Sequence, residues 1–417
     1  MGCGSLKIDG ESLLARIREF AEIGRDDSEG RTRLALSEGD GMARDRLVGW
    51  MRELDLEVRI DPVGNIFGIL RGEDESCSNA LMIGSHIDTV IEAGPLDGVY
   101  GVLSGLAVAR AFRESGLRPR HTLMVAAFTN EEGVRFQPDM LGSLFFAGGI
   151  SLEEALAARG TDGALFGEEL RRIGYAGDAD PADLHPAEYL ELHVEQGPVL
   201  DSEGIDIGVV EDLQGISWRR VLMEGAANHA GTTPMPMRSD AGYAAARAIV
   251  FLRELAAASG SIRTTVGTLS LSPGAINVIP SRAEFTVDMR DPDEERLLRG
   301  EREFTGFLDR LKEEEGVKIS VESLARFEPV RFDFGLADSI EAVAKGRSLS
   351  TLRMTSGAGH DAQMLARVCR TAMIFVPSRD GISHSPAEFT PEEQLLNGAN
   401  VLMDVAFELL QKSGKGL

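Results

Sequence analysis

The chain has 417 residues, 67 of them acidic and 43 basic, for a formal net charge of −24. That length predicts two or three domains, and 43% hydrophobic with 26% charged residues excludes a largely disordered protein. So acidic a balance repels phosphate backbones and anionic lipid, which argues against nucleic-acid and membrane binding, and it opposes even a small anion unless local cations reverse the field.

The N-terminal MGCGSLKIDGESLLARIREF has no apolar core and no small-residue cleavage site, so no signal peptide is expected. Gly2 begins a stretch like a myristoylation motif, but Leu6 stands where Ser or Thr is needed. No run approaches the ~18–20 apolar residues that cross a bilayer. Cys3, Cys77 and Cys369 are odd in number and far apart, which predicts neither a disulfide framework nor a thiolate zinc site and points to a reducing cytoplasm.

In chain order, residues 12–23 and 41–54 read as helices, and 56–61 with 65–70 as a hairpin. ALMIGS (80–85) reads as a buried strand, 98–114 as a helix, and TLMVAAFT (122–129) as another buried strand. Buried strands alternating with helices predict an α/β sheet covered on both faces. YLELHVEQGPVL (189–200) alternates, with Glu191, His193 and Glu195 opposite Leu190, Leu192 and Val194. Near 213 the pattern changes to strand 217–224, helix 240–258, strands 262–270 and 282–290, helix 293–315 and strand 317–323. This βαββαβ order is the ferredoxin-like split motif. From about 330 the first pattern resumes, with helix 336–346, strand 351–355, helix 361–367, strand 371–376 and a helix from 391. The expected organisation is one α/β body, 1–212 with 330–417, interrupted by an inserted α+β module, 213–329.

Polar clusters follow the predicted strands. GSHIDTV (84–90) puts His86 and Asp88 two apart, on one face of extended chain. Asp97 in GPLDGVYG precedes a helix, where capping alone explains an Asp. Glu131 and Glu132 adjoin at a buried strand end, where like charges repel and one carboxyl holds a proton unless a cation intervenes. His193 and His384 (ISHSPAE, 382–388) complete the set, while His121 and His185 read as structural. Each cluster alone could be a polar turn or a solvated face. As an ordered His/Asp/Glu set beyond the carboxyl ends of strands, they suit a hard-to-borderline divalent cation.

The order H-x-D … D … E-E … H … H with a ferredoxin-like insertion resembles the M20 family of dinuclear metallohydrolases. GSHIDTV, GPLDGVYG, NEEGVRF, HVEQGPVL, NHAGTTPM, GAINVIP, DMR, SGAGHDAQ and ISHSPAE resemble its amidase/carbamoylase branch. That branch includes N-carbamoyl-L-amino-acid hydrolases, β-ureidopropionases and allantoate amidohydrolases. The resemblance implies a metallopeptidase-like catalytic domain, with a mixed sheet flanked by helices, and an inserted lid and dimerisation domain. It implies two divalent ions (zinc, manganese or cobalt) on His86, Asp97, Glu132, His193 and His384, with Asp97 bridging. Glu131 would be the general base, and Asp88 the carboxylate behind His86. His229 and Asn277 would meet the substrate amide and oxyanion, Arg290 the substrate carboxylate, and Gln196 and Gly359 would complete the binding set. Taken alone, His229 and Asn277 are turn residues and Arg290 a strand-end charge.

The implied activity is hydrolysis of the ureido C–N bond of an N-carbamoyl-L-amino acid by a cytoplasmic homodimer. QGISW (214–218) and the Ala-rich helix 240–258 lean that way. Allantoate or a β-ureido acid is the alternative substrate, and a non-catalytic ligand-binding member of the fold is the distant alternative. A nucleophile-type hydrolase is disfavoured, since there is no G-x-S-x-G elbow.

Overall fold

The computed structural model describes residues 6–412; Gly2 and Cys3 lie outside them. The chain forms two compact units, one comprising residues up to Glu211 together with Arg331 onward, the other Asp212–Val330. Among the described residues no helix is long and apolar enough to cross a membrane.

The first unit begins with α1 (Gly10–Phe20) and α2 (Glu38–Glu53), each started by a side chain that accepts a backbone N–H, Asp9 and Ser37 respectively. Strands β1 (Glu57–Ile60) and β2 (Ile66–Leu70) form the expected antiparallel hairpin. Then come β3 (Leu81–His86), α3 (Val99–Ser115) and β4 (Leu123–Phe128). Both strands are buried throughout, which is why they read as continuous apolar runs. Three short helices follow, α4 (Leu141–Phe146), α5 (Leu152–Ala157) and α6 (Phe166–Arg172). At six or seven residues they are too short to show a helical period, and the sequence reading left them out. Strand β5 (Glu188–Val194), α7 (Val199–Glu203) and β6 (Ile207–Leu213) complete this segment. The alternating stretch 189–200 is therefore strand only to Val194, because Glu195 turns to accept the Val199 and Leu200 N–H groups at 2.9 and 2.8 Å. Its polar face is not solvent-facing: Glu191 is 0% and His193 1% exposed.

The second unit contains β7 (Gly215–Glu224), α8 (Ala241–Ser259), β8 (Arg263–Thr265), β9 (Leu269–Ser272), β10 (Arg282–Asp291), α9 (Glu294–Glu315) and β11 (Lys318–Phe327). Its sheet runs β11-β7-β10-β8, with β9 also on β10, and its apolar face packs on α8 and α9 around Phe285, Leu297 and Phe304. The run 262–270, expected as one strand, is two. Thr265 pairs with Asp288 and Leu269 with Phe285, so one extra residue bulges between them.

The short β12 (Val330–Arg331) falls where the chain returns to the first unit, and there follow α10 (Phe334–Gly346), β13 (Thr351–Ser356), α11 (Asp361–Leu365), β14 (Arg370–Val376) and α12 (Glu392–Gln411). The large sheet has the order β1-β2-β4-β3-β5-β14-β6-β12, with β13 on β6. Within it β4, β3, β5 and β14 are mutually parallel, so their carboxyl ends share one edge.

A buried ion pair ties α2 to that edge. Arg44 of α2 meets Asp40 at 2.8 Å, with both side chains at most 1% exposed. Arg44 also donates to the Gly64 carbonyl and, at 3.1 Å, to Thr129 Oγ1 just beyond β4. Removing one partner of such a pair strands the other charge, a loss of ~3–5 kcal/mol. Asp40→Ala is expected to lower unfolding stability by about that much, read from the urea midpoint; a change within ~0.5 kcal/mol would show the pair to be dispensable.

Candidate metal centre

The chemistry-bearing residues converge beyond the shared carboxyl edge, where open α/β sheets bind ligands. His86 ends β3. Its Nδ1 donates to the Asp88 carbonyl at 3.0 Å, so in the neutral ring Nε2 carries the lone pair. His193 of β5 is built the same way. Its Nδ1 donates to the Val194 carbonyl at 2.8 Å, and its Nε2 receives the Gly98 N–H at 3.1 Å. Both Nε2 atoms face Asp97 Oδ1, at 3.5 Å from His86 and 3.1 Å from His193. His384, on the loop after β14, places Nε2 3.1 Å from the other Asp97 oxygen and 3.5 Å from Glu132 Oε2.

Asp97 lies on the loop that enters α3. The next residue, Gly98, has φ 64°, and a Cβ there would stand 2.5 Å from His86 Nε2. Glycine is thus required both by the backbone and by the histidine it faces. Glu131 and Glu132 follow β4. Glu131 Oε2 is 3.5 Å from His86 Nε2, and both residues' N–H groups donate to the Asp88 carboxylate, at 3.3 and 3.4 Å. Asp88 was expected behind His86. Its carboxylate is 3.8 Å from Nδ1, and it is the Asp88 backbone that takes the imidazole bond. Gln196, at φ 58°, donates to Asp97 Oδ2 at 2.8 Å. Gly359 sits in the turn before α11, where a Cβ would meet Met140 at 3.3 Å.

The remaining expected residues lie in the second unit. His229 and Asn277 are brought together there, because Ala230 N–H donates to the Asn277 carbonyl and Ile279 N–H to the Asn228 carbonyl. His229 Nδ1 accepts from Gly231 and Thr232 N–H at 3.0 and 3.2 Å, which leaves Nε2–H as its donor. Arg290 forks onto Asp288, with contacts of 2.8–3.1 Å. His121 and His185 donate to the Lys412 and Phe146 carbonyls, structural roles as read.

Three buried acids were given no site role by the sequence reading. Glu388, in the same motif as His384, accepts from Leu96 and Asp97 N–H. Glu191 accepts from Ser85 Oγ, Tyr189 OH and Ala362 N–H; its place two residues before His193 on the same strand face was the available signal. Asp361 is fully buried with neither carboxylate oxygen hydrogen-bonded.

The electrostatics are those of a site built for a cation. Burial alone would raise the Asp97 carboxyl, but hydrogen bonds from His193, His384 and His86 outweigh it and hold it well below the usual range. Burial and the neighbouring Asp97 push Glu132 up to about 8. Burial likewise drives Glu131 well above its ordinary value, against the pull of His86. The hydrogen bond with Asp97 takes His384 up to about 9. His86–Asp97–His193 and Asp97–Glu132–His384 each offer ligand atoms within 4.8 Å of one another. The Nε2–H groups that bond Asp97 while these rings are protonated become lone pairs aimed at the same point once the rings are neutral, so the donor set fits a divalent metal taking the place of those protons. A third grouping, Glu191–His193–His360, fits poorly because Glu191 already serves three donors.

The sequence model of Peptidase family M20/M25/M40 matches residues 82–408. The chain belongs to this family. The M20 chain is 38% identical to an N-carbamoyl-L-amino-acid amidohydrolase of Rhizobium meliloti, over 96% of its own length and 97% of the relative's. It is 34% identical to an allantoate amidohydrolase of Bacillus subtilis, covering 95% and 97%. The crystal structure of an amidase of the hydantoinase/carbamoylase family from Burkholderia multivorans superimposes with a TM-score of 0.93 at 38% identity, covering 98% and 99%.

At pH 7 both His384 and Glu132 hold protons that an incoming cation must displace. Because the His384 value is raised, its pairing stabilises the metal-free fold below pH 6.5 and is lost as pH rises through about 9. Calorimetry in buffers of different ionisation enthalpy is expected to show about one to two protons released per metal-loading event at pH 7, and tighter binding at pH 9. Binding without proton release would place the metal elsewhere.

Proposed function

We propose that this chain hydrolyses the ureido C–N bond of N-carbamoyl-L-amino acids, giving the amino acid, ammonia and carbon dioxide. The observation that carries the reading is the Glu131–Glu132 pair. Glu132 faces His384 within the donor set, while Glu131, poised against His86, is left over for proton transfer. Full-length likeness to the Rhizobium meliloti enzyme supports the substrate class.

Two divalent ions, zinc, manganese or cobalt, would be held by His86, Asp97 and His193 and by Asp97, Glu132 and His384, with Asp97 shared. Bound there, they would polarise the ureido carbonyl and make water a nucleophile near neutral pH. Glu131 takes the proton of the attacking water and returns it to the leaving nitrogen; its raised proton affinity suits that exchange. Asp88 positions Glu131 through the backbone bonds. His229, through Nε2–H, and Asn277 donate to the developing oxyanion. Arg290 exchanges Asp288 for the substrate carboxylate, which its planar fork fits, and Gln196 and Gly359 line the substrate. The second unit is assigned the roles of lid and dimerisation module. Leu269 and Leu271 on β9 are exposed, on an edge with no further strand among the described residues, which supports a homodimer. Cys77 and Cys369 are free thiols, in keeping with a cytoplasmic setting.

Ammonia release is measured from N-carbamoyl-L-amino acids, N-carbamoyl-β-alanine and allantoate, before and after chelation and metal restoration. Turnover of the carbamoyl amino acids is expected, lost on chelation and regained with metal. Turnover of allantoate alone would transfer the assignment to the Bacillus subtilis type of activity, and turnover indifferent to chelation would sink the mechanism. Glu131→Gln should lower kcat ~10²–10⁴-fold with metal content unchanged; loss of metal instead would mean that the two glutamates exchange roles. Arg290→Ala should raise KM for carboxylate substrates far more than for their amides, and equal effects would remove its assigned role.

A further inference from the structure

Glu388 is 4% exposed, and no part of the reaction above uses it. Its Oε2 accepts from the Leu96 N–H at 2.7 Å and the Asp97 N–H at 3.3 Å. Its Oε1 accepts from Ser383 Oγ at 3.2 Å, and its own N–H donates to the Ser385 carbonyl at 3.0 Å. One carboxylate therefore fastens the loop that presents Asp97 to the loop that presents His384. The fit is close, since a Cβ on Gly94 would collide with the Glu388 side chain. Apart from Asp97, Glu132 and Gln196 around its Nε2, His384 depends on its loop for its position. It is half exposed and sits at φ 52°, a backbone region unfavourable for a residue with a Cβ. The other histidines facing Asp97 lie in or at the end of strands and are fastened through Nδ1.

We propose that Glu388 is a positioning residue that sets the spacing of Asp97 and His384, and so governs the metal position formed by Asp97, Glu132 and His384 rather than the one formed by His86, Asp97 and His193. This rests on the two-metal reading above. The latch works by hydrogen bonding, which an amide can reproduce. In Glu388→Gln the amide oxygen still accepts from Leu96 and Asp97, and the NH₂ donates to Ser383 Oγ. Alanine reaches neither loop, and aspartate is one methylene too short to reach both.

The test is metal stoichiometry and affinity on the full chain, by chelator competition with zinc and with manganese and by elemental analysis after dialysis. Wild type is expected to hold two equivalents. Glu388→Ala should keep one and bind the other ~10–100-fold more weakly, the usual loss when a partner supporting a ligand is removed. Glu388→Gln should stay near wild type, and adding Glu388→Ala to His384→Ala should weaken the second equivalent no further than His384→Ala alone. If Glu388→Ala does not fold, Glu388→Asp takes its place with the same expectation. Wild-type affinity at both positions in the alanine or aspartate variant would overturn the latch. So would a Gln variant as weak as Ala, which would make the role one of charge. A wild type that holds a single equivalent would sink the two-site reading and the latch with it, a result separable from the others because it appears before any substitution.

Discussion

Everything in the first unit answers to one crowded carboxylate. Asp97 is 3% exposed and has three imidazole nitrogens within 3.5 Å of its two oxygens, with Glu132 a further 3.5 Å beyond His384. Burying so many donors costs several kcal/mol unless charges balance and every spare polar atom is bonded. Proton sharing provides that balance in the metal-free chain, and a divalent cation provides it in the loaded one. The surroundings reflect the same demand. Backbone carbonyls take the outward nitrogens of His86 and His193, while backbone N–H groups serve Asp88, Glu191 and Glu388. Secondary structure here holds atoms that cannot be left to rotate.

The sheet makes such crowding possible. Four parallel strands end on one edge, so residues 86, 131–132, 193 and 384, far apart in sequence, are delivered to one place by strands hydrogen-bonded into a common register. Arg44, buried behind that edge and bonded to Thr129, carries the constraint outward to α2. The site is thus anchored from the core side by β-structure and from the outer side by a helix.

Much of this was legible because the strands advertise themselves. ALMIGS and TLMVAAFT are too apolar to be anything but buried, and the polar residues that follow them had to lie at strand ends. His86, Glu131 and Glu132 stood out on that ground, His193 from its alternating strand and His384 from its loop, while Asp97 alone read as a helix cap and joined them through the resemblance; in the structure all six converge. Less legible were features that depend on partners distant in sequence. Nothing local separates Glu388 from a surface acid, since its role is set by the Leu96 and Asp97 N–H groups about 290 residues away. The bulge between β8 and β9 depends on the register of β10, which a single strand does not specify. Helices α4–α6 escaped because each buries a few residues rather than a continuous stripe. Asp88 lies beside the expected histidine, but which of its oxygens takes the imidazole hydrogen bond was not legible, as side-chain and backbone oxygens of one residue look alike in a sequence.

The exposure of the three histidines around Asp97 is uneven: His86 and His193 are shut in at 1–2%, whereas His384 has half its side chain in water. A cation held by Asp97, Glu132 and His384 would therefore exchange with the medium by a local swing of one loop, whereas His86 and His193 offer no such exposed handle.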